Sequence, residues 1–286
     1  MNWSDSETAI YNQALKNVET TNKKLALMTV KVQKEVISKI NQFYLSVDES
    51  WSDAYKIKRV EEIIKQADRY LNVLSNYFIT TLTAGYILNY VTTFMGYDKI
   101  IKPLTGESIK IISEEAIKKN FYKTIGDFNF LRHEKETADI LRAKLQDMVK
   151  SAVDRGINPK KLEKELLKEF GNHIARHGAT ARTEMLTSYS ISQEDAVNQA
   201  EEMGIKFNPP KWLGRNDFKK VGNKMVPRER ESHRKLNNTY AKLASDGKYY
   251  FHANGCKGTS PRLFTGEKSA GENINCRCRR INEPLV

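Results

Sequence analysis

Apolar residues recur at helical spacing along most of the first two hundred positions. Ile10, Leu15, Leu25, Val30, Val32, Val36, Ile37 and Ile40 predict one long helix, running to about Tyr44. Ser4 followed by Glu7 reads as a capping box at its start. Ser46 to Ser52 is a polar break, and a second pattern begins near Trp51 with Val60, Ile63, Ile64 and Tyr70. Lys99 to Lys110, with Pro103 and Gly106, reads as a loop, and Ser113 as the cap of a short helix through Tyr122. Ile140, Leu141, Leu145, Met148, Val149 and Val153 mark another helix, stopped by Gly156. Asn158-Pro159 restarts one in the favoured cap-and-first-position order, with Leu162, Leu166, Leu167 and Phe170 on its apolar face. Gly171 is expected to end it, and a further helix to cover His173 to Met203.

The texture changes after Gly204. Pro209-Pro210, Trp212, frequent glycines and short aromatic runs (Tyr249, Tyr250, Phe251) replace long periodicity, with one helix expected from Pro227 to Ala244. The expected fold class is mostly α, with long N-terminal helices followed by a small α+β C-terminal module. Three regions follow: residues 1–110 as a helical docking region, 111–204 as a helical domain, and 205–286 as a basic module.

Leu71 to Tyr97 contains no charged residue, a length that could cross a bilayer. Asn72, Asn76, Asn89 and several threonines inside it would each need a partner in lipid, which favours burial against other helices over membrane contact. The polar, acidic start, Met1 to Glu7, carries no signal-peptide pattern. Three clustered cysteines are too few for a secreted disulfide framework, so synthesis in a reducing cytoplasm is expected.

Charge sharpens the division. Residues 205–286 hold 18 Lys+Arg against 7 Asp+Glu, a net +11 of the chain's +12. Such a module attracts polyanions or an acidic protein surface. Lys219, Lys220, Arg228, Arg234, Arg277 and Arg279 are the candidate phosphate contacts. No base-reading motif accompanies them, so DNA binding would be non-specific.

Cys256, Cys276, Cys278 and His252, with His233 as the alternative fourth ligand, could hold a tetrahedral zinc. The plainer reading is three small thiols fixed by packing. His173 and His177 lie one helical turn apart but lack the glutamate of a metalloprotease helix, and are expected on a polar, solvated face. No phosphate-cradling glycine motif, Ser-His-Asp order or dinucleotide fingerprint is present.

Two strings are more specific. Arg182-Thr183-Glu184 sits on a predicted helix, and Asn275-Cys276-Arg277-Cys278 lies near the C-terminus; between them come Trp212, then Arg230 and His233. This ordered series resembles the C-terminal domain of Mu F-like phage head morphogenesis proteins, also called minor head or minor capsid proteins. The resemblance covers about Ser113 to Arg280. It departs where the family often has a glycine after the His helix, since Asn237-Asn238 stands there. Asparagine also tolerates a left-handed backbone.

The resemblance implies a non-enzymatic virion component in the head interior or at the portal vertex. Its partners would be the portal protein, the major capsid or scaffolding protein, and packaged DNA, and it would support head assembly, packaging or genome delivery. The rival readings are a phage-encoded nuclease or toxin-like enzyme, and a membrane-active DNA ejection protein using Leu71 to Tyr97. From the residues themselves, Arg182 and Glu184 read either as a polar clamp joining helix to module or as a catalytic pair. The clamp is favoured because no nucleophile or cofactor loop accompanies them.

Overall fold

The computed structural model describes residues 2–46, 50, 52–123, 130–155, 158–215 and 217–285. Five helices come first: α1 (Trp3–Ser46), α2 (Asp53–Thr105), α3 (Glu114–Phe121), α4 (Phe130–Arg155) and α5 (Pro159–Glu202). The C-terminal module follows, with β1 (Lys211–Leu213), β2 (Phe218–Val221), β3 (Lys224–Pro227), α6 (Glu231–Leu236), β4 (Lys242–Leu243), β5 (Tyr249–Ala253), β6 (Cys256–Gly258), β7 (Phe264–Thr265), α7 (Ser269–Asn273) and β8 (Arg279–Ile281). The fold is mostly α, with long N-terminal helices and a small α+β module.

Contacts group the chain into two compact units, each discontinuous in sequence. One comprises residues 21–82 and 131–179, the other 1–20, 83–130 and 180–286. The first is a helical unit. Its core includes residues of the stripes seen in the sequence (Val36, Ile40, Val60, Ile63, Leu145, Val149, Leu162, Leu166 and Phe170), together with Leu71 and Leu74 from the uncharged run. Burial of such side chains contributes about 1.5–3 kcal/mol each relative to exposure.

In the second unit β4, β5, β6 and β7 form an antiparallel sheet, β1 pairs with β8, and β2 with β3. Trp212, fully buried, faces Arg280 across the β1–β8 pair and centres a cluster with Phe251, Phe264 and the three cysteines. Trp212 and Phe251 meet edge to face at 5.1 Å between ring centroids. The N-terminal turns of α1 belong to this unit. Tyr11 donates its hydroxyl to the Arg277 carbonyl at 2.6 Å, and Asn17 donates to Asn89 at 3.1 Å.

Several local signals act as expected. Ser113 caps α3, accepting from the Ala116 amide at 3.2 Å, and Asn158 caps α5, accepting from the Lys160 amide at 2.9 Å. Gly156 lies outside the described residues, as do Val47, Asp48, Glu49 and Trp51 of the polar break. The uncharged run lies on α2, where Leu74, Phe78, Leu82, Tyr86 and Tyr90 recur at every fourth position, all buried. Among the described residues no helix is long and apolar enough to cross a membrane.

Other expectations need correction. The supposed loop from Lys99 is helical to Thr105. Buried Ile101 holds Pro103 within the last turn, and Gly106, at φ 79°, ends the helix. Gly171 does not stop α5, because buried Phe170, His173 and His177 carry the helix through it, overriding a weak local preference. His173 and His177 are therefore core residues, not solvated ones. Phe78 stacks on His177 at 3.9 Å, and Glu134 lies 3.3 Å from its Nε2. Desolvation lowers the His173 pKa to about 3.

The Ser4–Glu7 capping box is also absent. Asn2 Oδ1 accepts from the Ser4 amide at 3.1 Å, while Glu7 turns into the core. Of the helix expected from Pro227 to Ala244, only α6 forms. Asn238 takes a left-handed backbone (φ 64°) and donates its amide to the Trp212 carbonyl at 2.8 Å, while Ala241 donates to that of Pro210 at 2.8 Å. These bonds pull the segment off the helix and onto β1.

A buried His-Cys-Cys cluster and the strings that frame it

The two sequence strings meet in the structure. Arg182 on α5 donates through its Nη1 to Asn275 Oδ1 at 2.7 Å, and the Asn275 amide donates to Thr183 Oγ1 at 2.7 Å. Asn275 itself is left-handed, at φ 56°, which swings the following residues back toward the module's core. Glu184 faces away from this contact into the core, where burial raises its pKa to about 8. Arg182 is thus paired with Asn275.

Beyond Asn275 the chain alternates. Cys276 and Cys278 are buried, while Arg277 between them is partly exposed and pairs with Asp217 at 2.5 Å. Both sulfurs face His233 of α6. His233 Nδ1 lies 3.5 Å from Cys276 Sγ and 3.6 Å from Cys278 Sγ. The three candidate ligand atoms lie within 4.8 Å of one another, the one such group among the described residues.

The surroundings hold this arrangement. The fully buried Arg262 donates through Nη1 to the Cys276 and Cys278 carbonyls at 3.2 and 2.7 Å, and through Nη2 to Ser190 Oγ at 2.7 Å. Trp212 meets the imidazole edge to face at 5.1 Å. On its far side, His233 Nε2 lies 2.9 Å from Glu272 Oε2, close enough for a charge contact though not aligned as a hydrogen bond. Glu272 is fixed by Ser232, which donates at 2.9 Å, and by Asn254, which donates at 2.8 Å. Arg230 donates to the Glu272 and Ile274 carbonyls, tying α7 to the start of α6.

Burial pushes the Cys276 thiol up, but hydrogen bonds from Cys278 and His233, with the charges of His233 and Arg262, more than offset it, and its pKa falls. Cys278 moves the other way, raised by its hydrogen bond with Cys276 and by burial.

The other candidate ligands are elsewhere. In the β5–β6 register His252 pairs with Lys257 and Ala253 with Cys256. Side chains alternate across a strand, so the exposed His252 and the buried Cys256 point to opposite faces. Cys256 Sγ sits 3.3 Å from the Glu267 carbonyl oxygen, outside the three-residue group. The set with His252 is therefore not assembled, whereas the alternative histidine, His233, does meet Cys276 and Cys278.

The basic candidates also divide. Lys220, Arg228 and Arg234 are exposed. Lys219 lies on β2, and its side chain is outside the described residues. Arg277 is held by Asp217, and Arg279 donates to Thr8 Oγ1 at 2.9 Å with its guanidinium 5.5 Å from the Tyr11 ring centre. These two arginines serve internal packing. Arg262 and Glu272 escaped the sequence reading: nothing local marks Arg262, and Glu272 could be singled out only as one of few acids in a basic module.

Fold and cluster together define a class: a predominantly helical protein whose C-terminal α+β module is built around a buried histidine and two cysteines, with a polar clamp to a long helix. Residues 143–281 match the family described as phage Mu protein F like protein, so just under half of the chain is similar to that family. The matched segment runs from within α4 to the end of β8 and includes both strings and the whole cluster. No curated protein and no solved structure matches the chain significantly.

Proposed function

We propose that the protein is a minor head component of a tailed phage, which docks on the portal protein or on major capsid or scaffolding subunits and supports head assembly, packaging or genome delivery. The family match carries this reading, because it falls on the segment in which the Arg182-Thr183 and Asn275-Cys278 strings pack together. These residues act as a structural clamp: the Arg182 guanidinium bonds to the Asn275 side chain, and the Asn275 backbone amide to the Thr183 hydroxyl. The reading concerns assembly rather than catalysis. Of the two aspartates in the module, Asp217 pairs with Arg277 and Asp246 accepts from the Tyr250 hydroxyl at 2.8 Å. Neither joins a second acid in a metal-binding group among the described residues.

Mass spectrometry of purified heads and separated tails from the encoding phage tests the proposal. The protein should be in heads at low copy number, and its deletion should yield heads that are malformed or fail to deliver DNA. Its absence from particles, with normal infectivity after deletion, refutes the head assignment. A second reading, sequence-tolerant contact with packaged DNA, is supported by the exposed Lys220, Lys224, Arg228 and Arg234.

A further inference from the structure

We propose that His233, Cys276 and Cys278 bind a single zinc ion through the His233 Nδ1 and the two sulfurs. Zinc bonds of about 2.3 Å to sulfur and about 2.0–2.1 Å to nitrogen, set at tetrahedral angles, place a nitrogen and a sulfur about 3.6 Å apart. The observed separations are 3.5 and 3.6 Å. A thiol–imidazole hydrogen bond has a similar length, but Nδ1 has one lone pair and can accept from only one thiol. Here two sulfurs stand at nearly equal distance from it. A single cation at the centre satisfies both at once.

Charge and support favour the same occupant. Two thiolates and a neutral imidazole cancel a divalent charge, so the filled site is neutral and its burial costs little. Of the charges near it, Arg262 and Glu272 are of opposite sign. Glu272 stands against the imidazole nitrogen remote from the sulfurs, at 2.9 Å. A carboxylate on that side of the ring is the support that metal-bound histidines usually have. Arg262 anchors the carbonyls of both cysteines and so fixes where their sulfurs point. Soft sulfur and imidazole donors select zinc over magnesium or calcium. Three protein ligands leave the fourth position to a water. The ion would hold α6 against the Asn275–Cys278 segment in a module whose strands are at most five residues long.

The test uses the full chain, purified without chelators under reducing conditions, with zinc sulfate as the probe. Elemental analysis should find about one zinc per folded chain. Cobalt exchanged into the site should give the visible bands of a tetrahedral centre and sulfur-to-cobalt charge-transfer absorption. His252→Ala and Cys256→Ser should keep the full metal content, Cys276→Ser and Cys278→Ser should lose it, and Glu272→Ala should weaken affinity by about 10–100-fold. The wild-type measurements decide the matter even if a cysteine variant fails to fold. Less than about a tenth of an equivalent of zinc in folded wild-type protein overturns the proposal, as does a cobalt form without sulfur charge transfer. Loss of metal in folded Cys256→Ser or His252→Ala also overturns it, by assigning the ion to another ligand set.

Discussion

Glu7 gives the sharpest test of how the second unit is held together. The carboxylate is buried against three donors: the Tyr97 hydroxyl at 2.7 Å, the Gln193 side-chain amide at 3.3 Å and the Asn282 backbone amide at 3.3 Å. Burial raises its pKa from 4.5 to about 7, against the lowering effect of Tyr97, Asn282, Arg279 and Gln193. The folded state therefore holds a proton that the unfolded chain releases. Stability from this group is fully present below pH 4.5 and is lost as pH rises through about 7. The shift corresponds to about 3 kcal/mol as a ceiling, since one pKa unit is about 1.4 kcal/mol.

Glu7→Gln keeps the shape and removes the titration. Urea unfolding of wild type and variant at intervals from pH 5 to 8 gives the stability difference at each pH. Glu184, raised to about 8, and His173, lowered to about 3, also titrate with folding, but both are present in the two proteins and drop out of the difference. The variant should gain on wild type by about 1–3 kcal/mol between pH 5 and 8. A difference that stays flat would show that Glu7 is not buried as an acid, and the account of the Tyr97–Gln193–Asn282 cluster would fail with it.

Arg262→Met removes three hydrogen bonds of a buried cation and should cost about 3 kcal/mol in denaturant unfolding; a cost under about 1 kcal/mol would refute the anchoring role. Deleting residues 1–20 strips Tyr11, Thr8 and Glu7 from Arg277, Arg279 and Asn282, so amide exchange across residues 276–282 should accelerate sharply, whereas unchanged protection would show that α1 is dispensable to the module. If the module contacts DNA, affinity of the full chain for unrelated duplexes should fall by about 0.9 log unit per log unit of salt for each phosphate neutralised. Lys220→Ala or Arg234→Ala should then lower that slope by about one without changing sequence preference. Salt-independent binding, or none at low salt, would turn the basic surface toward acidic protein partners.

What could be read from sequence was what local chemistry decides. Ser113 and Asn158 cap helices because their side chains reach amides two or three residues on, and such bonds need nothing from the rest of the fold. The preference of the uncharged run from Leu71 to Tyr97 for burial against other helices is equally local, because its polar residues need partners that lipid lacks. Glu7 was misread for the converse reason. Its spacing from Ser4 fits a capping box, but its partners lie 90, 186 and 275 residues away. Gly171 and the Pro227–Ala244 segment failed alike, the first carried through by buried neighbours and the second drawn off by backbone bonds to β1.

The cysteine cluster shows where that boundary runs within a single site. Cys276 and Cys278, two residues apart around a partly exposed arginine, could be read as a pair facing one way. Which histidine they face could not be, because His233 and His252 both lie in the same module and both are chemically suitable. The choice is made by strand alternation on β5, which places Phe251 and Ala253 in the core and so turns His252 to solvent. It is completed by α6, whose short span puts His233 under Trp212 and against both sulfurs. The left-handed Asn238 that ends this segment directs the chain back to the Trp212 carbonyl. The same residue thus closes the turn and fixes the strand that packs on His233. The position of the ligand histidine follows from backbone geometry on both sides of it, and no motif spacing encodes that.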